Sequence, residues 1–308
     1  MARHRPLRTT AVIRIALIPY DLLAQDRDLR APLTWEVDRP CPPPSPATYD
    51  TDPQIDEVQA TIDLADQLMP GFLAFHPIGA RLGQECVRIT AGDFRSMIFT
   101  TQYYVPSYHK WLLHEADLAP AYRYHRRYLQ HLQSAVPGQW LLKSPAHLWH
   151  LDALAKEYPD ALVVQTHRDP LKVIASASAL THTLRSMASD ASTIAQAAGQ
   201  FADDILVGLD GGMRARDRGV FPASQVVDVQ FAEFVNDPFV TIRRVYAHLG
   251  RDLTPQAETR MRTFLAAHPG DGGVGRYTWS DTGLDAGAMR ERVRPYQDRY
   301  GVPSEELR

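Results

Sequence analysis

The chain has 308 residues, enough to bury the core of one large α/β domain, and its formal charge of −3 excludes a general electrostatic affinity for nucleic acid, so any cationic site must be local. Its two cysteines, Cys41 and Cys86, have neither C-x-x-C spacing nor a His-rich partner, which argues against a disulfide framework or a zinc site and fits a reducing cytoplasm. No run of about 18 uninterrupted apolar residues occurs, and Arg14 breaks the apolar part of residues 1–24, so neither a transmembrane segment nor an export signal is expected.

Weak alternation over Ala11–Ile18 predicts a first strand, and Asp21–Gln25 the start of a helix. Proline density from Arg30 to Pro53, greatest in the C-P-P-P-S-P of Cys41 to Pro46, predicts an extended connection without regular structure. Ile55, Val58, Ile62, Ala65 and Leu68 recur at helical spacing and predict an amphipathic helix over Ile55–Met69, ended by Pro70-Gly71. After a looser stretch to Thr90, helices are expected at Asp93–Tyr104, Ser107–His114 and Ala121–Ala135. The aromatic residues of this part of the chain, from Phe94 to Tyr128, suit either ordinary helix packing or an apolar ligand pocket. Further on, the pattern predicts a long helix over Ala191–Arg218, a strand over Val226–Phe231, and helices over Pro238–Leu249, Pro255–Ala267 and Ala286–Tyr300, with a Gly-rich loop at Pro269–Gly275.

The stretch from Gln139 to Ser178 carries the chemistry. Trp140-Leu141-Leu142 suits a buried parallel strand that ends on Lys143 and Ser144, with Ser144 as N-cap and Pro145 in the first helical turn. Ala161–Gln165 suits a second strand ending on Thr166-His167-Arg168, with Asp169 as N-cap and Pro170 opening the next helix. A right-handed crossover brings these strands side by side, or nearly so, with both polar ends on one sheet edge. Helix N-termini at such an edge favour anions, and Lys143 and Arg168 add two cations. A phosphorylated ligand is the simplest reading. With four lysines against twenty-nine arginines in the chain, a lysine at a strand end is less readily a casual surface residue.

The order W-x-L-K-S-P-x-H from Trp140 to His147, T-H-R-D-P from Thr166 to Pro170, and then Ser176 resembles the large bacterial branch of sulfotransferases that use 3′-phosphoadenosine-5′-phosphosulfate. The resemblance runs from Asp21 to Glu305 and includes the T-W-E-V of Thr34 to Val37 and the Y-T-W-S-D-T-G-L-D of Tyr277 to Asp285. It implies a three-layer P-loop-type α/β fold, a central parallel sheet flanked by helices, filling 1–308 as a single domain with a helical acceptor-side region at 54–135. It also implies the phosphosulfate as co-substrate, no metal, and a small or lipid-like hydroxylated acceptor. In the family pattern Arg168 and Ser176 hold the 3′-phosphate, and Lys143, with Ser144 beside it, supports the sulfuryl group and the leaving phosphate. Arg276 would reach the 3′-phosphate or adenine, and Glu36 would point towards the acceptor.

One part of that pattern is missing. The family's first strand leads into a P-R-T-G-T-T loop whose backbone N–H groups and hydroxyls cradle the 5′-phosphosulfate. Here Arg14–Tyr20 reads R-I-A-L-I-P-Y, and no glycine precedes Gly71. Residues 1–20 are therefore atypical, through loss of the loop or through an altered reading frame or start.

The proton acceptor is assigned either to His147, where a helix N-terminus keeps imidazole neutral, or to Glu36. The plainer readings are a capping role for His147, a surface role for Lys143 and Arg276, an ion pair for Arg168 and helix packing for Ser176. Two functions follow: a sulfotransferase, impaired if the loop is lost, or a non-catalytic relative that binds 3′-phosphoadenosine 5′-phosphate. A kinase is excluded, because G-x-x-x-x-G-K-[ST] is absent and Ile174 stands where the H-R-D pattern of His167–Asp169 requires a metal-binding Asn.

Overall fold

Side-chain alternation along the strands divides the molecule into layers. The computed structural model describes residues 9–12, 18–68, 73, 77–268 and 277–307. Its strands are β1 (Thr9–Val12), β2 (Leu29–Arg30), β3 (Gln139–Lys143), β4 (Val163–His167) and β5 (Val226–Gln230). β1 and β2 pair in parallel with opposite edges of β3, Val12 standing across from Lys143. β5 pairs in parallel with β4, and β1 lies against β4. The layer order is thus β2-β3-β1-β4-β5. β1 stands between the two strands that the sequence expectation set side by side or nearly so, and their polar ends are two strand spacings apart, about 10 Å.

Consecutive strand residues feed different cores. Val163 packs with Leu171, Ile174, Ile205, Leu209 and Val293, whereas Val164 and Leu141 pack with Tyr20, Leu22, Ile242 and Met261. Burial on both faces explains why these strands read as continuous apolar runs. The first core draws on α9 (Pro170–Arg185), α10 (Ile194–Asp217) and α14 (Ala286–Tyr300). The second draws on α1 (Ile18–Leu23), α12 (Pro238–His248) and α13 (Pro255–Ala267). The result is the three-layer α/β arrangement with a parallel sheet at its centre.

α10 also fixes the turn that follows β3. A 3-10 helix covers Pro145–His150, and Trp149 lies over Gly208, where an added Cβ would stand 2.8 Å from the indole. The Trp149 indole N–H donates to the Asp204 carbonyl at 2.8 Å. Only glycine admits this approach, and it holds the turn against the long helix.

The connection from Arg30 to Pro53 is more ordered than its prolines predict. It contains α2 (Thr34–Asp38), a stretch without proline whose first turn is closed by Glu36 Oε2 accepting the Leu33 N–H at 2.9 Å. The helix expected over Asp93–Tyr104 is broken instead. Phe94 takes a left-handed conformation at φ 55°, and Ser96 starts a new helix, α5 (Ile98–Gln102). Its Oγ accepts the Ile98 N–H at 3.3 Å and donates to the Val87 carbonyl at 2.6 Å. Apolar periodicity does not register such side-chain bonds. The described first strand, Thr9–Val12, overlaps the start of the expected Ala11–Ile18, and Ile18 opens α1 instead, while residues 13–17, the end of the Ile55–Met69 helix at Pro70-Gly71 and the Gly-rich loop Pro269–Gly275 lie outside the described residues.

Candidate active site

β3 delivers Lys143 into a desolvated position. The side chain is 3% exposed, and its ammonium meets the Glu85 carboxylate at 2.5 Å. The same ammonium stands 5.6 Å from the centroid of the Tyr20 ring. That ring packs on Gly83, where an added Cβ would meet it at 2.5 Å, so the wall beside Lys143 is closely fitted. Ser144 follows, fully buried, and caps the 3-10 turn by accepting the Ala146 N–H at 3.2 Å.

The turn buries His147. Its Nδ1 shares a 2.9 Å hydrogen bond with the Tyr122 hydroxyl, which fixes the ring, while its Nε2 is buried without a partner. Burial, with the positive charge that neighbouring His125 and His150 would carry, pushes the His147 pKa down to about 3. The imidazole is therefore neutral, as expected, but desolvation rather than the helix dipole is the main cause. His125, bonded through Nδ1 to the Tyr158 hydroxyl at 2.6 Å, is also pushed down to about 3 by burial, and His150 to about 4. A cavity of about 20 Å³, room for one water-sized group, opens between Ser144, His147, His150 and Tyr122 and the apolar side chains of Met97 and Leu112.

The end of β4 is built differently. His167 is buried between Tyr296, which it meets through Nδ1 at 2.7 Å, and Asp228, which it meets through Nε2 at 2.9 Å. Arg216 grips the same Asp228 through two bonds of 3.0 Å. Burial raises the Asp228 pKa, but the bonds from His167 and Arg216 outweigh it and hold the carboxyl well below the usual range. Arg168 lies over the Phe231 ring at 4.2 Å and grips Glu305 through Nε at 2.9 Å and Nη2 at 3.0 Å. Asp169 caps α9, accepting the Leu171 N–H at 3.0 Å, and also receives Arg290 at 2.6 Å and the Glu305 N–H at 2.7 Å. Ser176 is half-buried on α9, two turns beyond the cap.

One expected site residue, Glu36, stands apart from these ends. Glu36 is fully buried, with one oxygen on Arg30 and the other on the Leu33 N–H. Burial raises its pKa against the pull of Arg30 and of that N–H. Arg30 itself stacks on Trp140 at 4.4 Å and donates to the Leu132 carbonyl at 3.1 Å. Glu36 thus ties α2 to the core and does not line the cavity beside His147. Arg276 and the Arg14–Leu17 part of the atypical segment lie outside the described residues. Sequence reasoning missed Glu85, Tyr122 and Glu305. Tyr122 stood within the aromatic region, but nothing local marked the other two.

A polar strand end with a buried lysine, a second with a forked arginine at a helix start, and a parallel sheet between helices fit a three-layer α/β protein of the P-loop kind. The chain belongs to the sulfotransferase family, whose model matches residues 20–255. It is similar to the crystal structure of the sulfotransferase STF9 from Mycobacterium avium, at 30% identity and a TM-score of 0.86, over 98% of this chain and 79% of that one. It is also similar to the sulfotransferase STF1 from Mycobacterium tuberculosis H37Rv, at 28% identity and a TM-score of 0.80, over 93% of this chain and 76% of that one. No curated protein matches the sequence. Among the described residues no helix is long and apolar enough to cross a membrane, and no group of three or more His, Cys, Asp or Glu side chains is placed to hold a metal ion.

Proposed function

We propose that this chain, acting as a single domain in the cytoplasm, transfers a sulfuryl group from 3′-phosphoadenosine-5′-phosphosulfate to a hydroxyl of a small or lipid-like acceptor, without a metal. The acceptor oxygen attacks sulfur, the bond from sulfur to the 5′-phosphate oxygen breaks, and the proton leaves the acceptor. Lys143 neutralises charge developing on the leaving phosphate. Ser144 supports the same end, and Arg168, Ser176 and Arg276 hold the 3′-phosphate end. His147 takes the proton at Nε2. A neutral imidazole with a depressed pKa is a weak base, and the negative charge of the donor raises its basicity by favouring the imidazolium. Glu36, whose two oxygens already have partners, is the lesser candidate for that role. The helical region 54–135 forms the acceptor side, a reading supported by its Tyr122, Met97 and Leu112, which line the cavity beside His147.

The observation that carries this reading is the pairing of a buried lysine at the end of β3 with a neutral imidazole four residues on whose Nε2 has no partner, in a chain of this family. Labelled sulfuryl transfer to a panel of fatty alcohols, sterols, phenols and charged sugars tests it. Transfer to the apolar alcohols that falls roughly 10²–10³-fold in Lys143→Ala is the expected result. Preference for charged sugars would refute the acceptor class. Binding of 3′-phosphoadenosine 5′-phosphate with no transfer to any acceptor would favour a non-catalytic protein. Replacing Arg14–Tyr20 by P-R-T-G-T-T is expected to raise the rate by about 10³, because several preorganised N–H donors are restored together.

A further inference from the structure

Arg168 is not waiting with an open fork. Its Nε and Nη2 are both engaged by the two oxygens of Glu305, at 2.9 and 3.0 Å, and its guanidinium face rests on Phe231. A carboxylate and a phosphate present the same two-oxygen edge to an arginine fork, so Glu305 sits on Arg168 as a phosphate would.

Glu305 reaches this position through its main chain. Its N–H donates to Asp169 at 2.7 Å, and its carbonyl accepts from Arg290 at 3.0 Å. Upstream, Val302 is buried, and Gln297 donates to the Val302 carbonyl and the Ser304 hydroxyl at 3.2 and 3.3 Å. The segment after α14 is thus docked by contacts that do not involve the Glu305 carboxylate. That carboxylate and Arg168 are 33% and 28% exposed, so the side chain can swing into water while the tail stays in place. The other acid of the cluster cannot move in the same way, because both Asp169 oxygens are bonded. Arg168 and Arg290 already balance Asp169 and Glu305 in charge, and a phosphate added without displacement would stand against a carboxylate.

We propose that the Glu305 carboxylate fills the phosphate seat of Arg168 in the unliganded protein and is displaced by a 3′-phosphate, a built-in competitor that weakens donor and product alike and returns to Arg168 as the product leaves. The inference rests on the assignment of Arg168 to the 3′-phosphate made above. The competitor is specific to that group: a nucleotide without a 3′-phosphate leaves the pair intact.

Calorimetric titration of 3′-phosphoadenosine 5′-phosphate and of adenosine 5′-monophosphate into the full chain, Glu305→Gln, Glu305→Ala and Arg168→Ala tests both statements separately. Both Glu305 variants are expected to bind the 3′-phosphorylated nucleotide roughly fivefold more tightly than the unaltered chain, as suits release of a partly exposed ion pair. The monophosphate should bind all three equally. Equal affinity of the 3′-phosphorylated nucleotide in the unaltered chain and the Glu305 variants would overturn the competitor, and weaker binding would make Glu305 a residue that orients Arg168. If Arg168→Ala binds that nucleotide as well as the unaltered chain does, the phosphate seat itself is wrongly assigned, and no binding to any variant has the same consequence.

Discussion

The two strand ends of the candidate site handle charge in opposite ways. At the end of β3 one ammonium and one carboxylate meet in a nearly dry setting, and the groups around them are neutral imidazoles, hydroxyls and apolar side chains. At the end of β4 the charges are numerous, forked and partly exposed, each with several partners: Arg168 with Glu305, Arg290 with Asp169, Arg216 with Asp228. The first arrangement makes a cation act strongly over a short range, because little water screens it. The second exchanges partners at low cost, because water is at hand to receive whatever is displaced. A sulfotransferase needs both, strong polarisation where the bond breaks and reversible holding where the nucleotide binds.

The sharpest way to break the comparison is to remove the ammonium at the dry end. Lys143→Met keeps most of the volume but leaves Glu85 facing a lost partner in a largely buried place. Such a change is expected to cost about 3 kcal/mol of stability, besides its effect on transfer. Combining it with Glu85→Gln should recover most of that loss, and urea unfolding of the four proteins of the cycle measures the coupling. The same measurement on Arg168→Met and Glu305→Gln should give a coupling of at most about 1 kcal/mol. Equal couplings at the two ends would erase the distinction drawn here.

Acid should find the dry end first. His125, His147 and His150 have pKa values held down to between about 3 and 4 by burial, whereas an unfolded imidazole titrates near 6.5. Below that value the unfolded chain binds protons that the folded chain refuses, so stability falls with falling pH. The slope approaches about 4 kcal/mol per pH unit if all three respond, and above pH 6.5 the contribution vanishes. At the other end, Asp228 is held below its usual range by His167 and Arg216 after burial has pulled the other way. Its contribution is present above the ordinary carboxylate pKa and is lost only in stronger acid. Urea melts at pH 7, 6 and 5 should therefore show the decline already under way, and His125→Asn should remove about a third of the slope. A flat profile across that window would mean that the three imidazoles titrate normally.

What could be read from the sequence was local. Ser144 and Asp169 cap their helices as their positions before Pro145 and Pro170 required, each accepting an N–H two residues ahead. The strands and most long helices follow apolar period, and α14 falls on Ala286–Tyr300 as predicted. The partners that decide what the site residues do come from far along the chain: Tyr122 is 25 residues from His147, and Glu305 is 137 from Arg168. No periodicity links such pairs. Glu36 shows the same limit from the other side. T-W-E-V was legible as a motif, yet the buried Arg30 that engages its carboxylate follows from how β2 sits on β3. The order of the strands was hidden for a similar reason, since β1 enters between β3 and β4 from the opposite end of the described chain.

The smallest expected effect separates holding a ligand from holding the fold. α9 carries two nearby serines in different circumstances. Ser178 is fully buried and donates to the Ile174 carbonyl at 2.6 Å, so its hydroxyl is spent on its own helix. Ser176 is half-buried and two turns beyond the Asp169 cap, on the face where the helix starts. Removing a hydroxyl that bonds an anion costs on the order of 1 kcal/mol, which is about fivefold in affinity. Alanine is also the better helix former, by up to about 0.5 kcal/mol. Ser176→Ala should therefore weaken binding of 3′-phosphoadenosine 5′-phosphate about fivefold while leaving stability unchanged or slightly raised. Ser178→Ala should leave that affinity unchanged. Calorimetry and urea unfolding on the two variants give both quantities, and a loss of affinity confined to Ser178→Ala would move the phosphate contact to the other face of the helix.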